Sequence, residues 1–98
     1  MSEARFAEQY VRQRSAKGYG PLRIRAELQQ RGLDGAAIDR ALEAAEVEWE
    51  GLLLGLIQRK YGLPLPAHRH ERARIQRALQ QRGFSEELIR QALKGGKG

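Results

Sequence analysis

The sequence predicts an all-α protein: two tandem three-helix repeats forming an elongated, curved module. Three observations predict it. The segment Ile24–Leu42 lies without a gap over Ile75–Leu93 at a shift of 51 residues, and nine of the nineteen positions are identical; self-similarity at a fixed period marks a repeat architecture. The shared apolar positions fall at helical spacing, Ile24 with Leu28 and Ile38 with Ala41 and Leu42, repeated as Ile75, Leu79, Ile89, Ala92 and Leu93, so each set lines one helix face. The punctuation is helical too. Gly32 and Gly83 each follow an amphipathic run and suit the left-handed position that ends a helix. Two residues later Asp34 or Ser85 supplies the side-chain oxygen that caps the next one.

The first helix is expected over about Glu3 to Ala16, with Phe6, Tyr10 and Val11 inward and Gly18 as its stop. Pro21 opens the second, at a first-turn position where its missing N–H does no harm. Asp34 opens the third. The fourth is expected from about Val47 to Lys60, with Trp49, Leu53, Leu56 and Ile57 inward and Gly62 as the stop. The stretch Gly62–Pro66 carries two prolines and cannot be helical. The fifth helix surrounds Glu71 to Gln81, and Ser85 opens the sixth. The boundaries that follow are residues 1–46 for the first repeat, 47–94 for the second and 95–98 for a glycine-rich, flexible tail. Each triplet is too small to make a core alone, so the two are expected to stack side by side. Repeat arrays want at least three units and capped ends. Met1 runs almost straight into a helix, so a further unit upstream is expected.

Composition narrows the function classes. The chain has 98 residues and no cysteine, which excludes disulfides and thiolate metal sites and fits a reducing, cytoplasmic setting. Its longest apolar run, Leu52–Ile57, is far too short for a bilayer, and the first residues carry no apolar signal segment. The net charge of +6 is unevenly laid out: residues 1–33 carry +4, residues 34–50 carry −5 and residues 51–98 carry +7. Two basic halves flanking an acidic belt favour an anionic partner, either nucleic acid or an acidic protein surface.

No catalytic set is evident, and neither an enzymatic activity nor a cofactor is expected. Lys17–Pro21 is turn chemistry, because a phosphate loop needs a preceding strand and a different glycine spacing. His68 and His70 stand two apart, whereas metal-binding pairs on a helix stand three or four apart. Trp49, Tyr10, Tyr61 and Phe84 sit at apolar helical positions or junctions, where core packing accounts for them better than base stacking. The charged helix faces carry more promise. With Ile75 and Leu79 fixing the buried side of the fifth helix, His70, Arg74, Arg77 and Gln81 form a stripe on another face, with Arg69 beside it. The matching stripe in the first repeat is Tyr19, Arg23, Ala26 and Gln30, flanked by Arg25. Guanidiniums at such spacing can follow a row of phosphates or carboxylates. Arg23 can alternatively pair with Glu27 one turn away.

The run from Arg14 to Gly32, RSAKGYGPLRIRAELQQRG, resembles the middle repeat of the RecX family, in which G-Y-G-P and I-R-x-E-L-x-x-[KR]-G are the most recognisable features. The second unit resembles the family's last repeat: Trp49 opens its first helix, Arg59–Gly62 closes it, and Gln81–Phe84 marks the later junction. The likeness covers nearly the whole chain. It implies tandem three-helix repeats that lie in the groove of RecA filaments on single-stranded DNA. It also implies inhibition of the filament's ATPase, strand-exchange and coprotease activities, by disassembly or blocked growth, and so a role in the SOS response, recombination and repair. Family members usually carry a further N-terminal repeat, which the resemblance leads one to expect is the unit missing upstream here. The expected partners are the RecA filament and, secondarily, single- or double-stranded DNA, with no membrane and no small-molecule substrate. The expected contact residues are Lys17, Tyr19, Arg23, Arg25, Arg69, His70, Arg74 and Arg77.

Overall fold

A computed structural model describes residues 2–95. Among them are six helices and no strand: α1 (Glu3–Ala16), α2 (Pro21–Gln30), α3 (Gly35–Ala45), α4 (Trp49–Lys60), α5 (Arg69–Gln81) and α6 (Glu86–Gly95). α6 runs through Gly95, the first residue of the expected tail, and residues 96–98 of that tail lie outside the described residues.

The helix ends follow from their local chemistry. Ser2 Oγ accepts the Arg5 N–H at 3.2 Å, Asp34 Oδ1 the Ala37 N–H at 2.8 Å and Ser85 Oγ the Leu88 N–H at 3.0 Å. Each satisfies a donor that the helix itself leaves free. The prolines of 64 and 66 end any helical run after Gly62, and His68 Nδ1 then caps α5 by accepting the His70 N–H at 3.2 Å. One end is strained. α3 closes on Glu46 at φ 50°, ψ 42°, a left-handed conformation that costs a side-chain-bearing residue about 1 kcal/mol. Its carboxylate also sits at the negative end of the helix dipole. Glu46→Gly is therefore expected to raise stability by about 0.5–1 kcal/mol, read as a higher urea midpoint with an unchanged slope.

The triplets do not share a core. Ala7, Val11, Ile24, Leu28, Leu33, Ile38, Ala41 and Ala45 form one buried cluster within α1–α3. Leu53, Ile57, Ile75, Leu79, Phe84, Ile89 and Ala92 form a second within α4–α6. The expectation that a triplet cannot build a core alone is corrected here. α1 crosses both α2 and α3, and small residues on the shared face (Ala7, Ala41, Ala45) let the backbones close in on Val11 and Ile38. The α1 positions expected inward shift accordingly: Ala7 and Val11 are fully buried, while Phe6 and Tyr10 are only half-buried. Among the described residues Trp49 is the one partly buried hydrophobic packed against both clusters.

Backbone groups and two arginine side chains join the units. The turn between α1 and α2 abuts the turn between α5 and α6. The Gly20 N–H donates to the Arg82 carbonyl at 2.7 Å, and the Leu22 N–H donates to the Gly83 carbonyl at 3.0 Å. Arg23 Nη1 donates to the Gln81 carbonyl at 3.2 Å, and Arg82 Nη1 returns to the Gly18 carbonyl at 3.3 Å. The free N–H groups that open α2 thus meet the free carbonyls that close α5, so each helix end satisfies the other and the dipoles run head to tail. Two glycines make the approach possible. A Cβ on Gly20 would lie 2.5 Å from the Gly83 carbonyl carbon and 2.7 Å from Phe84 Cδ1, and one on Gly83 would lie 2.5 Å from Arg23 Cβ. Gly83 also needs its φ of 105°. The result is an elongated body of 47 × 24 × 19 Å.

Candidate anion-binding face

The two homologous helices α2 and α5 differ in what their charged faces touch. On α2 the arginines are held within the molecule. Arg14 from α1 makes a two-pronged pair with Glu27, at 2.9 Å from Nε and 2.8 Å from Nη2. Tyr10 donates its hydroxyl to the same carboxylate at 2.9 Å, and Arg23 reaches it at 3.3 Å. Arg25 pairs with Asp39 on α3. Tyr19 is half-buried beneath three guanidiniums, with Arg14 at 4.0 Å, Arg23 at 4.7 Å and Arg82 at 5.6 Å from the ring centre. A cation over an aromatic face gains electrostatic attraction from the ring quadrupole. Tyr19 therefore knits α1, α2 and the α5–α6 turn together, and Arg23, though exposed like Ala26 and Gln30 of the same stripe, is engaged by partners inside the molecule. Lys17, at the end of α1, is exposed.

This cluster has a titration signature. The Arg14 guanidinium, bonded to Glu27, holds that carboxyl down at about 2 against partial desolvation, with Tyr10 and Arg23 adding further hydrogen bonds. Arg14 is correspondingly raised by Glu27. A carboxyl depressed in the folded state stabilises it at pH values above the ordinary carboxylate range. That contribution is lost as pH falls from about 4.5 through about 2. The Glu27 side chain is 21% exposed, so solvent screening reduces the effect to about 2 kcal/mol. Glu27→Gln is expected to lower stability by about that amount at pH 7 and to flatten the acid limb of the stability curve between pH 4 and 2. Denaturant titrations at stepped pH check both.

On α5 the situation is reversed. Arg69, His70, Arg72, Arg74 and Arg77 are all exposed. Among the described residues none of these four arginines has a carboxylate within salt-bridge distance. Ile75 and Leu79 pin the helix to the second core, which directs Arg74, Arg77 and His70 away from it. On the flank, Arg69, Arg72 and Arg77 border an open trough of about 530 Å³ floored by Ala67 and Ala73. The structure thus brings Arg69, His70, Arg74 and Arg77 onto one helix, and it places Lys17, Tyr19, Arg23 and Arg25 in the other unit, three of them engaged internally.

Arg72 was not among the expected residues because it falls outside the i, i+4, i+7 stripe; the run of four arginines within nine residues of α5 was the available signal. The repeat alignment exposes the divergence. Arg74 stands where Arg23 does, but Ala78 replaces Glu27, so the second unit has the cation without its internal acid. Four exposed guanidiniums around small residues can take up phosphate or carboxylate groups in a row, each through bidentate, charge-assisted bonds.

Comparison with known proteins agrees with this two-unit plan. The family model described as RecX, second three-helix domain, matches residues 2–42, and that described as RecX, third three-helix domain, matches residues 46–93. The chain is 47% identical over 89 residues to the regulatory protein RecX of Cronobacter sakazakii, covering 91% of this chain and 54% of that protein. It is 47% identical over 95 residues to the regulatory protein RecX of Pseudomonas entomophila, covering 97% and 61%. A third relative, the regulatory protein RecX of Halorhodospira halophila, is 44% identical over 92 residues, covering 94% and 57%. The chain therefore spans between 54% and 61% of the length of these relatives.

Proposed function

The chain belongs to the RecX family of regulatory proteins, and on that premise we propose that it binds RecA filaments on single-stranded DNA in the cytoplasm and inhibits them. The inhibited activities are the filament's ATPase, strand exchange and coprotease function, and the consequence is restraint of recombination, repair and the SOS response. The observation that carries this reading is the pairing of two family repeats, joined through Gly20 and Gly83. A two-unit body 47 Å long offers a binding surface of fixed geometry to a periodic target. A partner must hold many weak contacts in register, and preorganisation lowers the cost of doing so. The protein acts by occupancy, not catalysis. Among the described residues no helix is long and apolar enough to cross a membrane.

The test is the DNA-stimulated ATPase of RecA titrated with the 98-residue chain. Suppression at substoichiometric to stoichiometric amounts is expected. An unchanged rate at saturating protein contradicts the proposal.

A second reading, direct binding of naked DNA, is favoured by the exposed arginines of α5. It predicts a log–log salt slope of about −0.7 to −0.9 per neutralised phosphate. The two readings separate by omitting RecA: binding that needs the filament supports the first, and equal binding to DNA alone supports the second.

A further inference from the structure

The α6 end of the second unit carries a surface that differs in kind from the arginine face. Between the Gly62–Pro66 loop and the last turn of α6 lies a groove of about 680 Å³. Its apolar wall is Leu63, Leu65 and Leu93, and its cations are Arg72, Arg90 and Lys94; no acidic residue lines it. Leu63, at 36% exposure, is one of two large apolar side chains left this open among the described residues, the other being Leu22. Arg90 is tied to Glu87 one turn back, whereas Arg72 and Lys94 have no acidic partner among the described residues. An aliphatic wall beside two cations without an acidic partner, Arg72 and Lys94, is a binding surface with a definite complement.

We infer that this groove docks an acidic peptide segment whose carboxylates flank one or two aliphatic side chains. The volume is within the range that pockets for small ligands occupy, and it accommodates side chains, not a helix face. The leucines account for the aliphatic component and Arg72 and Lys94 for the carboxylates, so neither charge nor apolarity alone satisfies the site. Nucleic acid fits less well. Among the described residues that line it there is no aromatic face on which a base could stack. Arg72 is shared by this groove and the α5 trough, so occupants of the two surfaces would be neighbours. The inference goes beyond the filament reading and does not depend on it.

The experiment is fluorescence anisotropy on the whole chain with a dye-labelled peptide, Asp-Leu-Glu-Ile-Glu-Asp. Two control peptides replace either its leucine and isoleucine by serine or its acids by glutamine and asparagine. Saturable binding below about 100 µM is expected for the parent peptide and not for either control. Leu63→Ser removes an exposed apolar group and Lys94→Glu sets like charge against the peptide. Each is expected to weaken binding about tenfold with an unchanged helical circular dichroism spectrum. Equal binding of the acid-only peptide, no effect of Leu63→Ser and Lys94→Glu, or no binding at all overturns the inference. So does displacement by a single-stranded oligonucleotide that leaves both variants equal to the parent. Sedimentation of the chain alone at rising concentration gives the remaining outcome: self-association abolished by Leu63→Ser would put a second copy in the groove and would likewise overturn it.

Discussion

Replacing Gly20 by alanine is expected to uncouple the two units while leaving each folded. Gly20 has φ −92° and ψ 171°, a conformation alanine adopts freely, so the substitution carries no backbone strain of its own. Its whole effect is the methyl group, which would press on the Gly83 carbonyl and on Phe84. Neither can yield easily: Phe84 is 1% exposed within the second core, and the carbonyl is fixed by the Leu22 N–H. Forcing a methyl into such a contact costs about 1–3 kcal/mol, and separating the turns would also forfeit four cross-unit hydrogen bonds. The expected observations are near-native helical content, one broadened or two resolved thermal transitions, and a larger radius of gyration in solution scattering. An unchanged scattering profile and melting curve would show that the junction is not what holds the units in register.

The second large effect is expected on α5. The triple change Arg69→Gln, Arg74→Gln and Arg77→Gln removes three exposed charges that pair with no acid among the described residues. Stability should move by less than about 0.5 kcal/mol, as for ordinary surface sites. Binding to an anionic target should weaken by about 30-fold at moderate salt, and the salt slope should shrink by about 2 if phosphates are the target. The equivalent change on α2, Arg23→Gln with Arg25→Gln, serves as the contrast. Because those arginines hold Glu27, the Gln81 carbonyl and Asp39, their loss should appear mainly in the melting curve. Salt-resolved binding isotherms beside thermal melts distinguish the two patterns.

The distinction between α2 and α5 shows where the sequence was legible. Helix positions and caps rest on interactions between residues at most four apart, which the periodicity of Ile24, Leu28, Ile75 and Leu79 exposes directly, and the duplication shows as the same pattern repeated at a shift of 51. The α5 stripe is legible for the same reason, since one helix suffices to define it. The junction is not. Two of its four hydrogen bonds join backbone atoms of Gly20 and Leu22 to Arg82 and Gly83, and backbone carries no residue-specific signal; the other two run from the Arg23 and Arg82 side chains to carbonyls about sixty positions away. Gly83 reads as a helix stop, which it is; that it must also admit Arg23 depends on a partner about sixty positions away in the chain. The Arg14–Glu27 pair, thirteen residues apart, was hidden by a simpler local partner, since Arg23 stands one turn from the same acid. The separate cores were hidden by size. Counting residues per triplet gave too little to bury, but Ala7, Ala41 and Ala45 let the helices approach closely enough to exclude water with few large side chains.

On the function proposed above, the protein acts through the spacing of its surfaces. Co-sedimentation with RecA filaments assembled on single-stranded DNA tests that account most directly, with the same DNA lacking RecA as the parallel arm. The chain should pellet saturably with the filament, remain in the supernatant with DNA alone, and lose most of its pelleting when Gly20 becomes alanine. A chain that stays soluble beside filaments, or pellets equally with naked DNA, would contradict it.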